Sequence, residues 1–446
     1  MRSIIETNPT RNFHALHQDG IFSIRQMALI DDDPSQKTQW LKTFNQQSKT
    51  EFRAFMGQAY ALLGVKSAYE IPALITQENK RNEASRIAHV RLGKTYGIEG
   101  TEREIETKIK SFADMADGVI SSLAERSGVL RSVRNRLEMA NEVKAIDNPV
   151  DLLLIVFDTT WSPKARFEAA RKLYLMKLFA SIDQRKRETR SSDKFNGFLE
   201  TLNTYVWSSG KKAETRGSTL LSVHNIDDMS CVSVKVAKNG EDIYLETEND
   251  KQIIKRTPVQ RRSFQVGKRE IPAYVMLREQ KDPHLQALKL LRKGHENPEI
   301  AVEDAVELIV VVDNEHDVNL FLRHLQDKIA ESGSLCILED IKNKLADTPH
   351  ETDGPYSSPQ LRQFQCFLRV GGMRIELVLH TNETYVEYLY RDGVSHDEYE
   401  VKRVIETGVA DLLFPNDFFK IDFAKQQQRI IQNIRRDMRE TTGSDG

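Results

Sequence analysis

The chain has few cysteines and no long apolar run. Only three of its 446 residues are cysteine, Cys231, Cys336 and Cys366, and they form no CxxC pair. This spacing argues against a disulfide framework and a structural zinc site, and it predicts a reducing compartment. No window approaches the length of a membrane span, and the first residues contain no apolar signal core. We therefore expect a cytoplasmic protein without a membrane partner.

The chain also lacks an excess of positive or negative charge. Lys and Arg number 64 and Asp and Glu number 66, which gives a formal net charge of −2. A balanced chain has no global field that would attract nucleic acid or membrane, so any basic site must be local. Hydrophobic residues make up 39% and charged residues 29%, as is typical of a globular protein. The length of 446 residues predicts more than one domain.

The first half of the chain has apolar residues at helical spacing. From about residue 46 to 205 they recur at three- and four-residue steps, which indicates amphipathic helices. Ser162 followed by Pro163 is typical of a helix start, with Ser162 as N-cap and Pro163 at the first helical position. We predict a helical domain over residues 1–215.

From about residue 218 the apolar period changes to two. Val232, Val234 and Val236 alternate with polar residues, and Ile243 and Leu245 do so after a turn at 238–240. This pattern predicts a hairpin within an antiparallel β-meander over residues 218–280. Later patterns predict a helix at 283–293, a strand at 304–313, a helix at 315–331, strands at 364–370 and 373–380, and an amphipathic helix at 423–439.

Two of the predicted strands carry acidic residues. Asp304 opens an apolar, β-branched run, and Glu376 alternates with Val378 and His380 on one face of its strand. If the strands are neighbours, the two carboxylates meet at one end of the sheet. Mg²⁺ is commonly held by one or two carboxylates together with substrate phosphates. The alternative is that Asp304 is a turn residue and Glu376 an exposed strand position.

Basic and aromatic residues surround these strands in sequence. Lys281 precedes the helix that carries Lys289, Arg292 and Lys293, and these cations could neutralise a triphosphate. A basic helix end exposed to solvent is the alternative for that helix. Tyr356 lies in a Gly-Pro-Tyr-Ser-Ser turn, where an aromatic ring could stack on a base or fold onto the surface.

The order of these motifs resembles the synthetase domain of the RelA/SpoT family. Arg278-Glu-Gln-Lys281 and Lys289 are similar to the family's opening basic motifs, and 304–313 is similar to its magnesium-binding strand. The turn around Tyr356 is similar to its guanine-stacking loop, and Glu376-Leu-Val-Leu-His-Thr to its second acidic motif. A segment containing His396 and Tyr399 is similar to a further motif downstream.

The resemblance implies a fold, an activity and a set of roles. For residues 216–420, which include the β-meander, it implies a nucleotidyltransferase-like mixed β-sheet flanked by helices. It does not cover the N-terminal helical domain, which periodicity predicts. The expected fold is therefore α+β: the helical domain, this sheet domain, and a C-terminal amphipathic helix and tail at 421–446. The activity is Mg²⁺-dependent transfer of pyrophosphate from ATP to a ribose hydroxyl of GDP, GTP or a related acceptor, as in guanosine tetraphosphate metabolism and the stringent response. Asp304 and Glu376 would hold the metal and act in catalysis. The nucleotides would be bound by Arg278, Lys281, Lys289, Arg292, Tyr356 and His380.

The chain also departs from the family pattern. Ile309 stands where the family has an arginine, and Val378 and His380 replace a glutamine and an arginine. His380 could donate to a phosphate if it were protonated, or it could be an ordinary buried histidine at a strand end. The family's paired His-Asp hydrolase ligands do not occur in the helical half, so alarmone hydrolysis is not expected. These departures keep an alternative open: a catalytically degenerate, nucleotide-binding regulatory or interaction protein.

RNA is a further candidate partner. The last predicted helix has a basic face, formed by Lys425, Arg429, Arg435, Arg436 and Arg439. Such a face contacts RNA in some proteins, and in more of them it is solvated.

Overall fold

The structure is a computed structural model that describes residues 56–126, 142–189, 191–208, 216–238, 245–278, 283–293, 306–346 and 358–440, with Glu241, Ile243 and Pro349. These residues divide into two compact units. The first draws on Met1–Glu188, Asp282–Ala301 and Val404–Gln426, and the second on Thr189–Lys281, Val302–Arg403 and Gln427–Gly446. Each unit is therefore assembled from segments that are far apart in sequence.

The helices and strands follow one another as the changing apolar period predicts. After helical residues at 56–63 and a 3₁₀ turn at Ala68–Glu70, the helices are α1 (Ile71–Thr76), α2 (Glu78–Thr95), α3 (Glu102–Arg126), α4 (Pro149–Phe157), α5 (Pro163–Glu188), α6 (Ser191–Thr201, followed by a π-helical turn at Leu202–Val206), α7 (Pro283–Lys293), α8 (Glu315–Glu331), α9 (Asn382–Tyr390), α10 (His396–Glu406), α11 (Val409–Leu413), α12 (Asn416–Phe419) and α13 (Phe423–Glu440). The strands are β1 (Arg216–Asn225), β2 (Cys231–Lys238), β3 (Gln252–Val266), β4 (Arg269–Arg278), β5 (Val306–Val312), β6 (Cys336–Asn343), β7 (Phe364–Val370) and β8 (Met373–Thr381).

The first unit is helical and contains a buried ion pair. Ser162 caps α5 by accepting a hydrogen bond from the Ala165 amide, as predicted. On the same helix, Lys172 is 3% exposed, and its Nζ lies 2.7 Å from Oδ2 of Asp117 on α3. Its Nζ also donates to the carbonyl oxygens of Val143 and Lys144, at 3.2 and 3.1 Å. Lys172 therefore ties α5 both to α3 and to the segment before α4.

The second unit is built on one mixed sheet of eight strands in the order β2-β1-β3-β4-β5-β8-β7-β6. β5 and β8 run parallel, with Val306 opposite Ile375 and Val312 opposite Thr381. The other neighbouring strands are antiparallel. β7 and β8 are joined at Gly371 and Gly372, whose φ angles of +57° and +73° suit the left-handed turn that a two-residue hairpin needs. The prediction of an α+β fold with a mixed sheet is confirmed.

Helices pack on both faces of this sheet. On one face, α6 and α8 contribute Phe195, Phe198, Phe321 and Leu325 to a core shared with alternate residues of β5, β7 and β8. On the other face, Tyr385 and Val386 of α9 pack against Ile309, Val311 and Val378. None of the helices that the structure describes combines the length and the apolar character that crossing a membrane requires.

The order of the first strands differs from the prediction. β2 pairs with β1 and lies at the edge of the sheet, so the hairpin predicted between β2 and the residues around Ile243 and Leu245 is wrong. β3 instead pairs with β1, which makes the order β2-β1-β3-β4 and not a simple meander. Pairing with β1 places Leu220 of that strand in the core beside Val259 of β3, a contact between residues far apart in sequence.

The later elements agree closely with the sequence prediction. α7 and α8 have the predicted bounds, β5, β7 and β8 match their predicted runs, and α13 begins at the predicted residue. β6 is not predicted from the sequence, because Glu339 and Asp340 interrupt its apolar residues and a bulge between Glu339 and Lys342 breaks the alternation.

Candidate functional site: a polar face of the sheet

The central strands present two different faces. Val306, Leu308 and Val310 of β5 belong to the core under α8, whereas Ile309 and Val311 face α9. Successive residues of a strand point to opposite faces, so Glu307 shares the α9 side. The alternation continues across β8, β7 and β6. We call the half-buried residues on this side the polar face: Glu307, Glu339, Gln365, Phe367, Arg369, Arg374 and Glu376.

The strand register aligns the acidic residues in one row. Glu307 of β5 is the register partner of Glu376 of β8. Glu376 is in turn opposite Phe367 of β7, and Phe367 is opposite Glu339 of β6. Partners in register lie on the same face at adjacent-strand spacing. The row therefore places two carboxylates on neighbouring parallel strands, near the start of β5 and in the first half of β8.

A glutamine fixes the orientation of Glu376. Gln365 of β7 donates from Nε2 to Oε1 of Glu376 at 2.6 Å. Because the donor lies on a strand that is paired with β8, the carboxylate is held by the sheet itself. A carboxylate that is oriented in this way is suited to bind a cation or to accept a proton.

A second cluster on the polar face contains two arginines. Arg369 and Arg374 are register partners, and Glu339 lies between them. Its Oε1 is 2.7 Å from Nε of Arg369, and its Oε2 is 3.4 Å from Nε of Arg374. The Arg374 guanidinium carbon lies 3.4 Å from the centre of the Phe367 ring, and its terminal nitrogen lies 2.8 Å from Oδ2 of Asp340. The hydrogen bond from Arg369 holds the pKa of Glu339 below its usual value.

His380 is placed as an ordinary buried histidine. It is 0% exposed, its ring lies 5.8 and 5.2 Å from those of Tyr385 and Tyr388, and its Nδ1 is 3.2 Å from Oγ1 of Thr384. Burial lowers its pKa to about 3, so the imidazole is neutral near pH 7. A neutral ring beneath α9 is unsuited to neutralise a phosphate, which corrects the interpretation of His380 as a protonated donor.

The departures from the family pattern have a common location. Ile309 is 2% exposed and Val378 is 6% exposed, and both pack against α9. Together with His380, they occupy the part of the sheet face that α9 covers. A charged side chain at these positions would be desolvated by α9, so apolar and neutral residues there are what the packing requires.

Asp304, Lys281 and Tyr356 lie outside the described residues. Arg278 is the last residue of β4 and is opposite Glu307 in the register, although its side chain lies outside the description. The meeting of Asp304 with Glu376 therefore stays a prediction, and so do the roles of Lys281 and Tyr356.

Lys289 and Arg292 lie on α7, which belongs to the first unit, whereas Glu376 belongs to the second. Both cations are half-buried. Their proposed contact with a polyphosphate stays a prediction.

Part of the basic face of α13 is used inside the second unit. Arg435 donates to both carboxylate oxygens of the buried Glu398, at 2.8 and 2.9 Å. Arg439 donates to the Ile226 and Asp227 carbonyls and pairs with Asp392. These two arginines attach the helix to neighbouring turns, so the surface that remains for RNA is smaller than the sequence indicates.

Most residues of the polar face are not among the site residues predicted from the sequence. Glu307 and Gln365 alternate with apolar core residues and could have been found by that pattern. Arg369, Arg374 and Glu339 come together only through strand pairing, which single-strand periodicity does not reveal.

The donor chemistry of the polar face fits Mg²⁺, because Glu307 and Glu376 are opposed carboxylates and hard divalent cations select such oxygens. Within the described residues, no group of three or more His, Cys, Asp or Glu side chains is arranged to hold a metal. A two-carboxylate arrangement completed by substrate phosphates does not need a third protein ligand.

No family model, curated protein or solved structure matches this chain. The resemblance to RelA/SpoT synthetases therefore rests on the order of the sequence motifs.

Proposed function

We propose that the chain is a Mg²⁺-dependent pyrophosphoryl transferase that uses ATP as donor and a ribose hydroxyl of GDP, GTP or a related nucleotide as acceptor. One observation carries the proposal beyond the motif order: β5 and β8 are parallel neighbours, with Glu307 opposite Glu376. The strand that Asp304 precedes and the strand that carries Glu376 are therefore adjacent, as the proposed site needs.

In this proposal the carboxylate of Glu376 accepts the proton of the attacking hydroxyl. The acceptor oxygen forms a bond to the β-phosphorus of ATP. The bond from that phosphorus to the oxygen that bridges it to the α-phosphorus breaks, and AMP leaves with the electron pair. Gln365 keeps Oε1 of Glu376 in a fixed position during this transfer. Asp304 and Glu376 would hold Mg²⁺, with Glu307, the register partner of Glu376, as a further carboxylate. When bound, the ion supplies positive charge to the phosphate oxygens.

The test is transfer of labelled phosphate from ATP to GDP, GTP or an RNA end by the full chain with Mg²⁺. Glu376→Gln and Asp304→Asn should each lower the rate by at least about 100-fold, since each removes a group that acts on the developing charge. Glu331→Gln is the matched control, because Glu331 pairs with Lys328 three residues earlier on α8. Absence of transfer to every acceptor by folded protein, or full activity of Glu376→Gln, contradicts the proposal.

A second candidate is a nucleotide-binding regulatory or interaction protein without catalysis. The observation that favours it is the burial of Ile309, Val378 and His380 under α9, which removes the family's phosphate contacts from these positions. Calorimetry with ATP and GDP separates the candidates: binding without turnover supports the second, and turnover excludes it.

A further inference from the structure

Two like charges face each other across the polar face. Arg369 of β7 and Arg374 of β8 are direct register partners in an antiparallel pair. Like charges in such a position repel and destabilise the pair. The two side chains are also partly exposed, at 41% and 19%. An anion between them is therefore needed, and a ligand from solvent can reach this place.

In this structure the anion is a side chain of the protein. Arg369 donates to both carboxylate oxygens of Glu339, and Oε2 also accepts from Nε of Arg374, so Glu339 bridges the two guanidinium groups. Guanidinium forks bind phosphate with the same geometry as they bind carboxylate. Glu339 thus occupies the position that a phosphate oxygen pair would take.

The arginine on β8 is preorganised. Its guanidinium lies on the Phe367 ring and is anchored by Asp340. A stacked and anchored guanidinium loses little further freedom when it binds a ligand, which favours its use in recognition.

Glu339 lies on an irregular part of an edge strand. β6 is the edge strand of the sheet and pairs with β7 on one side. Its register shifts between Glu339 and Lys342, and Asp340 has a φ of +52°, in the left-handed region. Edge position, a bulge and a left-handed residue together weaken the local pairing around Glu339.

We propose that Arg369 and Arg374 form a phosphate-binding subsite, and that Glu339 occupies it in the absence of ligand and is displaced when phosphate binds. The subsite rests on the proposed function, since its phosphate would be that of the nucleotide. Arg374 is two residues before Glu376 on β8, about 7 Å along the strand and on the same face. The subsite thus supplies positive charge beside the acidic row, in place of the cations that are missing under α9.

The probe is inorganic tripolyphosphate, titrated into the full chain by calorimetry at low ionic strength. Arg369→Gln and Arg374→Gln should each weaken binding about tenfold or more, because a charged hydrogen bond is lost. Glu339→Gln should tighten binding about two- to fivefold, because the competing carboxylate loses its charge. Lys328→Gln and Glu331→Gln, a pair of the same kind on α8, should leave it unchanged.

Circular dichroism spectra and thermal midpoints report whether each variant is folded, and Arg374→Lys, which keeps the charge, provides a milder substitution. Weaker or unchanged binding by folded Glu339→Gln overturns the proposal. So does wild-type affinity in the arginine variants, or the absence of binding by both the wild type and Glu339→Gln. The readout is binding alone, so a chain that binds tripolyphosphate as expected but transfers nothing retains the subsite and loses the enzymatic proposal. If the chain transfers pyrophosphate to a nucleotide but the arginine substitutions leave tripolyphosphate binding unchanged, the enzymatic proposal is retained and the subsite is lost.

Discussion

Replacing Lys172 by methionine tests the buried ion pair of the helical unit. Lys172 is 3% exposed in its side chain and Asp117 is 15% exposed. The substitution keeps the length of the side chain but removes the charge and its hydrogen bonds to the Val143 and Lys144 carbonyls. Breaking a buried pair by removing one partner costs about 3–5 kcal/mol. We expect Lys172→Met to lower the unfolding free energy by about 3 kcal/mol, the lower end of this range, because Asp117 keeps some contact with water.

The same variant should depend on pH in a defined direction. Burial raises the pKa of Asp117, and the hydrogen bond from Lys172 partly opposes this rise. Without Lys172, the pKa of Asp117 rises further above its unfolded value. A carboxyl group with a raised folded pKa binds its proton more tightly in the folded state, so stability falls as pH increases. The deficit of Lys172→Met should therefore be smaller near pH 4 than near pH 7.

Urea unfolding followed by far-ultraviolet circular dichroism measures both effects. The double variant Asp117→Asn, Lys172→Met should cost less than the single Lys172→Met at pH 7, since no buried charge is then left uncompensated. A single-variant cost below about 1 kcal/mol, or a deficit that grows at low pH, would refute the account of this pair.

Two further predictions concern packing and titration. Gly118→Ala on α3 should lower the unfolding free energy by about 1–3 kcal/mol, because the added methyl group would collide with the His284 ring. Gly197→Ala is the control in the same urea assay, because the methyl group added there has open space among the described residues. Burial lowers the pKa of His380 from 6.5 to about 3, so its ring-proton resonance should not shift between about pH 5 and 8. The stability that the neutral ring contributes is present above pH 6.5 and is lost as the pH falls toward 3. Assignment by comparison with His380→Gln checks this, and a titration midpoint near 6.5 would contradict the buried placement.

The polar face gives the two functional candidates a shared physical basis. Both need an anionic ligand to bind near Glu376, and both gain a source of positive charge in Arg369 and Arg374. They differ in whether the acidic row performs chemistry. Turnover by the wild type therefore separates them. In an enzyme, Glu376→Gln should abolish transfer and still bind phosphate at the arginine pair, which shows that the acidic row performs the chemistry.

Local patterns predicted the elements that have a strong internal signal. The unbroken apolar run of β5 and the alternation of β7 and β8 are visible in short windows, and so is the amphipathic repeat of α8. Ser162 and Pro163 marked the start of α5, since capping is a matter of adjacent residues. β6 was not predicted, because the bulge after Glu339 breaks the alternation of its apolar residues.

The sequence by itself determined where helical and strand periods lie, which faces are apolar, and that Glu376 projects from a strand with His380 on the same side. Tertiary structure alone decided that β5 and β8 are parallel neighbours, that α9 covers His380 and leaves Glu376 half-buried, and that Arg369 meets Arg374 across Glu339. The physical reason is that periodicity depends on neighbours along one chain segment. Strand order, burial and charge pairing depend on which segments meet, and that is settled by the packing of the whole unit.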